Sequence, residues 1–485
     1  MASDYDLVHY PTYPVPQTLP SSLAAIAQLA GGGAAVSFQR ARVLEVGCNS
    51  GENLLSLAAM APAGEFVGFD ITASAIERGR RLGAAAGLGN IRFIEGDILD
   101  PAVVEGEFDY VIAHGIYTWV PSAVRDALLR LFARHLATDG LAFVSFAVLP
   151  GCNIRLALRQ IMLDAVRGLD DPMARAEAAR ARLRLMVDEW EKPAGPLATA
   201  LRGEAIANLG RPLGATFHDE LADAYAPVSL GDLVEHARAH GLTYVADADA
   251  TVGRELRAPS PAGDALRSAA GGDALKFEQL DDFASARRFR QAIFSRKDVP
   301  TAGQPTDPAL LDAFFMQAQV VAEGEAGGEW TFLFPEERRI STKNAATAAL
   351  LTAVADAFPQ AVPLSGRLTT EATRITVMRL VFGGLARVYT EPFSFVRTAG
   401  ERPEASGLVR EQARRGDRML ASLHHRPVSA PDPEDIFFIG LLDGTRTRED
   451  LARAFADKTG HPPAIAQAMA MHELSQAGSL GLLVG

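Results

Sequence analysis

The sequence predicts an α/β protein: a doubly wound parallel sheet towards the N-terminus, then helical accessory regions, then a C-terminal α+β module of winged-helix type. Three observations carry this. Between residues 42 and 149 short apolar runs alternate with helix-period stretches, the pattern of parallel strands joined by crossover helices. The first run (Val43, Leu44, Val46) is bounded by Gly47 and Gly51 and followed by helix formers, so a buried strand turns tightly into a helix. The chain has 485 residues, beyond the roughly 250 to 300 at which a single core stops growing, so three or four domains are expected.

The net charge of −12 argues against a nucleic-acid footprint, which needs a basic face to displace counterions. Only Cys48 and Cys152 occur, so a disulfide framework is excluded and a reducing, cytoplasmic setting is expected. No apolar run approaches the roughly 20 residues of a membrane span, so no membrane partner is expected.

In order, residues 1–40 form an N-terminal aromatic and proline-rich arm. Its prolines force extended backbone between tyrosines, so it is either strapped across the surface or a lid over a ligand pocket. Ser21 or Ser22 is expected to cap a helix running to residue 30. Residues 41–153 form the ligand-binding catalytic domain, with strands at 42–46, 65–70, 91–95, 108–113 and 141–146 and helices at 53–61, 74–86 and 123–136. In such sheets the ligand lies outside the carboxyl ends of the strands. There the chain places Glu45, Gly47, Cys48, Asn49, Gly51 and Asn53 around the first turn, Asp70 and Ile71 after the second strand, Asp97 and Ile98 after the third, and His114 after the fourth. The glycines are too sparse to cradle a pyrophosphate, which favours a nucleoside ligand without phosphates. An acid at Asp70 can accept both ribose hydroxyls, or simply cap the next helix. Asp97 suits an exocyclic adenine amine, with Ile98 against the ring.

The pattern Glu45-x-Gly47-x-x-x-Gly51, with Asp70 and Asp97, resembles the Rossmann-like sheet of class I S-adenosylmethionine (AdoMet) methyltransferases. The resemblance implies AdoMet as cofactor, with Glu45 organising the turn and the methionine ammonium; Asn49 stands where that class usually has glycine. The stretch Ala113-His-Gly-Ile-Tyr-Thr-Trp-Val-Pro121, with Tyr10-Pro-Thr-Tyr-Pro, Gln17 and Thr18, resembles bacterial methyltransferases that carry a methyltransferase regulatory domain. That group includes protein lysine methyltransferases acting on outer-membrane proteins. Phe217-His-Asp-Glu-Leu221, His240-Gly-Leu-Thr-Tyr-Val245 and the stretch from Phe283 to Gln291 extend the similarity. It implies a homodimer in many members, Tyr13 and Gln17 at the cofactor, and His114, Tyr117 and Trp119 as catalytic residues near the reactive methyl. Tyr117 and Trp119 can also be read as packing under the next helix. The aliphatic run Ala147, Val148 and Leu149 departs from the group and suggests a more apolar acceptor pocket.

Residues 154–216 read as a helical cap or dimerisation region broken at Pro172 and Pro193. Residues 217–300 read as the regulatory, middle domain, with a loop at 251–272 and an amphipathic helix at 283–296 carrying Arg287, Arg288, Arg290 and Arg296. His236 and His240 share a helix face, but no third ligand is evident in the local sequence, so no metal is assigned; His424 and His425 also lack partner ligands. After a linker at 297–308, residues 301–485 form the C-terminal domain, with helices at 309–320 and 342–357 and strands at 330–334 and 385–389. The reading that results is an AdoMet-dependent methyltransferase acting on a protein lysine. A small-molecule acceptor and a non-catalytic AdoMet-sensing regulator are the alternatives.

Overall fold

The computed structural model describes residues 12–192, 195–249, 261–297, 308–430 and 432–485. The first half of the Tyr10-Pro-Thr-Tyr-Pro motif, Pro193 and most of the 297–308 linker lie outside these residues.

The expected parallel strands form where the apolar runs place them: β1 (Arg42–Val46), β2 (Glu65–Asp70), β3 (Ile91–Glu95), β4 (Phe108–Ala113) and β5, which is longer than expected at Leu136–Ala147. Helix α1 is Pro20–Leu29, and α2 (Glu52–Met60), α3 (Ala73–Ala85) and α4 (Ser122–His135) are the helices of the alternating region. Ser21 and Ser22 do not cap α1. Pro20 opens it, pre-set at the helical φ with no N–H to satisfy, and both serines lie buried inside it.

The sheet has seven strands in the order β3-β2-β1-β4-β5-β7-β6. The last two, β6 (Thr243–Asp247) and β7 (Phe289–Ser295), come from the middle region and run antiparallel to their neighbours. The helix expected over 283–296 is therefore corrected: a helix ends at Ser285, Ala286 turns left-handed at φ 49°, and the chain enters β7. Alternation explains the strand. Arg290, Ala292 and Phe294 face one side and Gln291 and Ile293 the other, and all are buried. Arg290 is fully enclosed because Asp282, Asp247 and Glu278 meet its guanidinium at 2.9, 3.2 and 2.9 Å.

Helices α5 (Asn153–Ala165), α6 (Pro172–Glu189) and α7 (Pro196–Leu209) build the cap, with Asp171 capping α6 through Ala174 N–H at 2.7 Å. Next come α8 (Leu230–Ala239), α9 (Pro261–Ala270), which replaces the later part of the loop expected at 251–272, and α10 (Ala274–Ser285). In the C-terminal region the helix expected at 309–320 is instead a short 3-10 turn (Pro308–Ala313) leading into a strand (Phe315–Gln317) that pairs with Val362–Pro363 and Arg387–Tyr389. The chain then forms the helix Gly407–Arg415, a hairpin of Met419–Ala421 and Pro427–Ser429, and the helices Pro433–Gly440, Arg448–Thr459 and Pro463–Ser479. One apolar core joins this region to the catalytic sheet, with Tyr389, Phe393, Leu408 and Leu423 packed among Leu23, Met60 and Phe66.

Candidate active site

The turn after β1 is built for close backbone approach. Gly47, Asn49 and Gly51 all have positive φ, and a Cβ on Gly47 or Gly51 would fall 2.3 Å from Ile116 Cδ1 or 2.2 Å from Phe93 Cε1. Asn49 supports its own left-handed turn, since its side-chain oxygen accepts from Ser50 N–H at 2.7 Å. Asp70 ties the second strand end to this turn, accepting from Asn49 N–H on one oxygen and Thr72 N–H on the other, both at 2.9 Å.

Glu45 lies beneath the turn, 5% exposed. Asn53 donates to its Oε1 at 2.8 Å, while Oε2 is enclosed and has no hydrogen-bond partner among the described residues. Burial pushes this carboxyl up to about 8. Burial also pushes the neighbouring Cys48 thiol up, so Cys48 fills space rather than acting as a nucleophile. Asn53 in turn accepts from Val15 N–H at 2.8 Å and Thr18 Oγ1 at 3.1 Å, which seats the N-terminal arm on the turn.

His114, just after β4, is partly accessible, its enclosed Nδ1 has no hydrogen-bond partner among the described residues, and burial lowers its pKa to about 4, so the ring is neutral. Tyr13, Gln17 and His114 line one open cleft of about 410 Å³ with Arg426 and Pro427. These last two belong to the C-terminal hairpin, and sequence reasoning missed both because nothing in the local sequence marks them. His425, at φ 57° in the hairpin turn, is held by Ser56 Oγ at 3.0 Å and Thr18 Oγ1 at 3.1 Å, so a hydrogen-bond chain runs from the hairpin through Thr18 and Asn53 to Glu45.

Gly96 N–H donates to the Asp70 carbonyl at 3.0 Å, so the chain after β3 lies beside the end of β2. Asp97 is exposed and accepts from Leu99 N–H at 2.9 Å, Ile98 is half-buried, and Ile71 is exposed on the rim. Tyr117 and Trp119 do not join His114 at the cleft. Tyr117 is buried against Phe146, its hydroxyl 2.9 Å from His236 Nδ1, and Trp119 donates to the Asp219 carbonyl at 3.3 Å. Nor do Ala147 and Val148 form a pocket wall. Both are buried, and their backbone N–H groups are taken by Thr118 Oγ1 and the Arg288 carbonyl.

A tight turn without phosphate-cradling glycines, a strand-end acid beside it, and an enclosed carboxyl oxygen with no hydrogen-bond partner among the described residues together fit a nucleoside amino acid such as AdoMet. The fold and this site define a class I methyltransferase. Residues 43–140 match the family described as a methyltransferase domain, residues 215–296 the predicted methyltransferase regulatory domain, and residues 401–461 the PKMT C-terminal winged helix domain. The chain is 32% identical over 201 residues to the uncharacterized protein RP028 of Rickettsia prowazekii, covering 41% of this chain and 80% of that one. It is 32% identical over 295 residues to RP789 of the same organism, 61% of this chain, and spans 53% of that relative's length. The structure of PKMT2 from Rickettsia typhi matches with a TM-score of 0.86 at 22% identity, over 98% of this chain and 100% of that one. The chain belongs to the AdoMet-dependent methyltransferases that carry a methyltransferase regulatory domain, with a winged helix of the PKMT type at its C-terminal end. S-adenosylmethionine is the methyl donor.

Proposed function

We propose that the chain methylates the ε-amine of lysine in a protein acceptor. The observation that carries this reading is the placement of the winged-helix hairpin: residues 401–461 match the PKMT winged helix domain, and its hairpin brings Arg426 into the cleft that His114 lines. The accessory region thus forms part of the cleft wall, as a large acceptor requires. PKMT2 of Rickettsia typhi, similar over nearly the whole chain, has also been solved with AdoHcy.

Bound AdoMet supplies a methyl group made electrophilic by its sulfonium. Glu45 Oε2 holds the methionine ammonium, the Gly47 to Gly51 turn brings backbone against it, Asp70 accepts the ribose hydroxyls, and Asp97 and Ile98 border the adenine. The acceptor amine must arrive neutral. Arg426 has no ion-pair partner among the described residues, and a guanidinium beside a desolvated lysine disfavours the ammonium form, leaving the lone pair free. Neutral His114 fixes the approach, and orientation supplies most of the rate. Tyr117 and Trp119 hold the loop that carries His114. The two free, buried cysteines suit a cytoplasmic enzyme.

The test is incubation with methyl-tritiated AdoMet and a lysate of the source organism. Trypsin-sensitive label located on lysine supports the proposal. Label confined to small extractable molecules overturns it, and would make Arg426 a carboxylate anchor for a small acceptor.

A further inference from the structure

On the face of the sheet away from the cleft, α8 packs beside α4. The 3.6-residue period puts His236 and His240 on one side of α8, and α4 brings Asp126 between them, 110 residues earlier in the chain. His240 Nε2 lies 2.9 Å and His236 Nε2 3.6 Å from the same oxygen, Asp126 Oδ1, and the three ligand atoms all fall within 4.8 Å of one another. From these residues we propose a first-row divalent cation site, with Zn²⁺ as the fitting ion, that clamps the regulatory region to the catalytic domain.

The donor set is chemically apt. Two imidazole nitrogens and one carboxylate oxygen are the ligands that Zn²⁺ takes, at roughly 2.0 to 2.2 Å each, so ligand atoms around it stand roughly 3.3 Å apart. The observed 2.9 and 3.6 Å bracket that spacing, and the third edge, between the two histidines, lies within 4.8 Å. The surroundings fit as well. His236 presents Nε2 to the centre because its Nδ1 meets the Tyr117 hydroxyl at 2.9 Å, the outer partner that orients a metal-bound histidine. Arg130 pairs with Oδ2 of Asp126, which leaves Oδ1 as a single ligand atom. The side chains of His236, His240 and Asp126 are 28, 15 and 38% exposed, so water can supply a fourth ligand. The site would also fix Tyr117, and through it the loop that starts at His114.

The experiment uses the full chain without a histidine tag, stripped with chelator, then loaded with Zn²⁺ or Co²⁺ and desalted. The expected result is close to one metal per chain, a ligand-field spectrum of four-coordinate Co²⁺, and a raised melting temperature on Zn²⁺ addition. His236→Gln combined with His240→Gln, checked for a native circular dichroism spectrum, should lose all three. Asp126→Asn keeps an acceptor for both histidines and should weaken Zn²⁺ at least tenfold. Equal metal content and equal Co²⁺ spectra in wild type and the Asp126→Asn chain would overturn the proposal and leave the cluster as hydrogen bonds alone.

Discussion

With burial holding the Glu45 carboxyl at about 8, the cofactor-free protein carries it mostly protonated at pH 7. An ammonium set against Oε2 favours the carboxylate, so AdoMet binding should expel that proton. Titration calorimetry at pH 7 in buffers of different ionisation enthalpy is expected to show release approaching one proton per AdoMet, fading well above pH 8, and none in Glu45→Gln. Heats independent of buffer would remove Glu45 from the ammonium site. The same shift affects stability. The folded pKa lies above the ordinary 4.5, so the folded state's hold on the proton stabilises it fully below that value, and this contribution drains away as pH rises through 8. Asp70 poses a different question, because its two oxygens already hold the Asn49 and Thr72 N–H groups yet keep acceptor capacity for a ribose diol. Asp70→Ala should weaken AdoMet binding at least about 100-fold, the loss of two charge-assisted hydrogen bonds at about 1.5 to 3 kcal/mol each. Unchanged affinity in calorimetry would reduce Asp70 to a cap for the turn and α3.

Strands β1 to β4 were legible to the residue because each is an apolar run cut off by glycine, proline or an acid. Strand β7 was not, since a run reading Arg-Phe-Arg-Gln looks like a solvated helix face until its partners are known. Those partners are Glu278 and Asp282 on α10 and Asp247 on β6, which turn Arg290 into a core residue. The cofactor turn could be read for the same reason as β1: its chemistry sits within one short segment. The far side of the cleft could not, because Arg426 and Pro427 reach it from a hairpin with no local signal, and Tyr117 was drawn away by His236. Strand β7 carries a stability prediction. Arg290→Met removes one of two buried cations: Arg287 stays 2.8 Å from Asp247, but Asp282 and Glu278 each lose a guanidinium at 2.9 Å, and breaking a buried ion pair from one side costs about 3 to 5 kcal/mol. Urea unfolding should show a loss of that size at neutral pH. A loss below about 1 kcal/mol would mean that water reaches the cluster.

At the scale of the whole molecule, the C-terminal region is joined to the catalytic sheet rather than tethered beside it. Leu408, Ala421 and Leu423 share a core with Leu23, Leu54 and Phe66, and Gly407 lies so close to α3 that a Cβ there would fall 2.3 Å from the Ala86 carbonyl. Such an arrangement couples the winged helix to cofactor binding by two routes, the shared apolar surface and the chain of hydrogen bonds from His425 through Thr18 and Asn53 to Glu45. Two chains separate the routes. One ending at residue 297 uncovers the core and frees the arm, and should both melt earlier and lose AdoMet affinity. Full-length His425→Ala leaves the core in place and takes away only the partner of Ser56 and Thr18, costing about 1 to 3 kcal/mol for the polar groups left behind. Its AdoMet affinity should fall several-fold, with a smaller drop in melting temperature than in the shortened chain. If the shortened chain bound AdoMet as tightly as the full one, the winged helix would serve the acceptor alone, and the seating of the arm on Asn53 would not depend on His425.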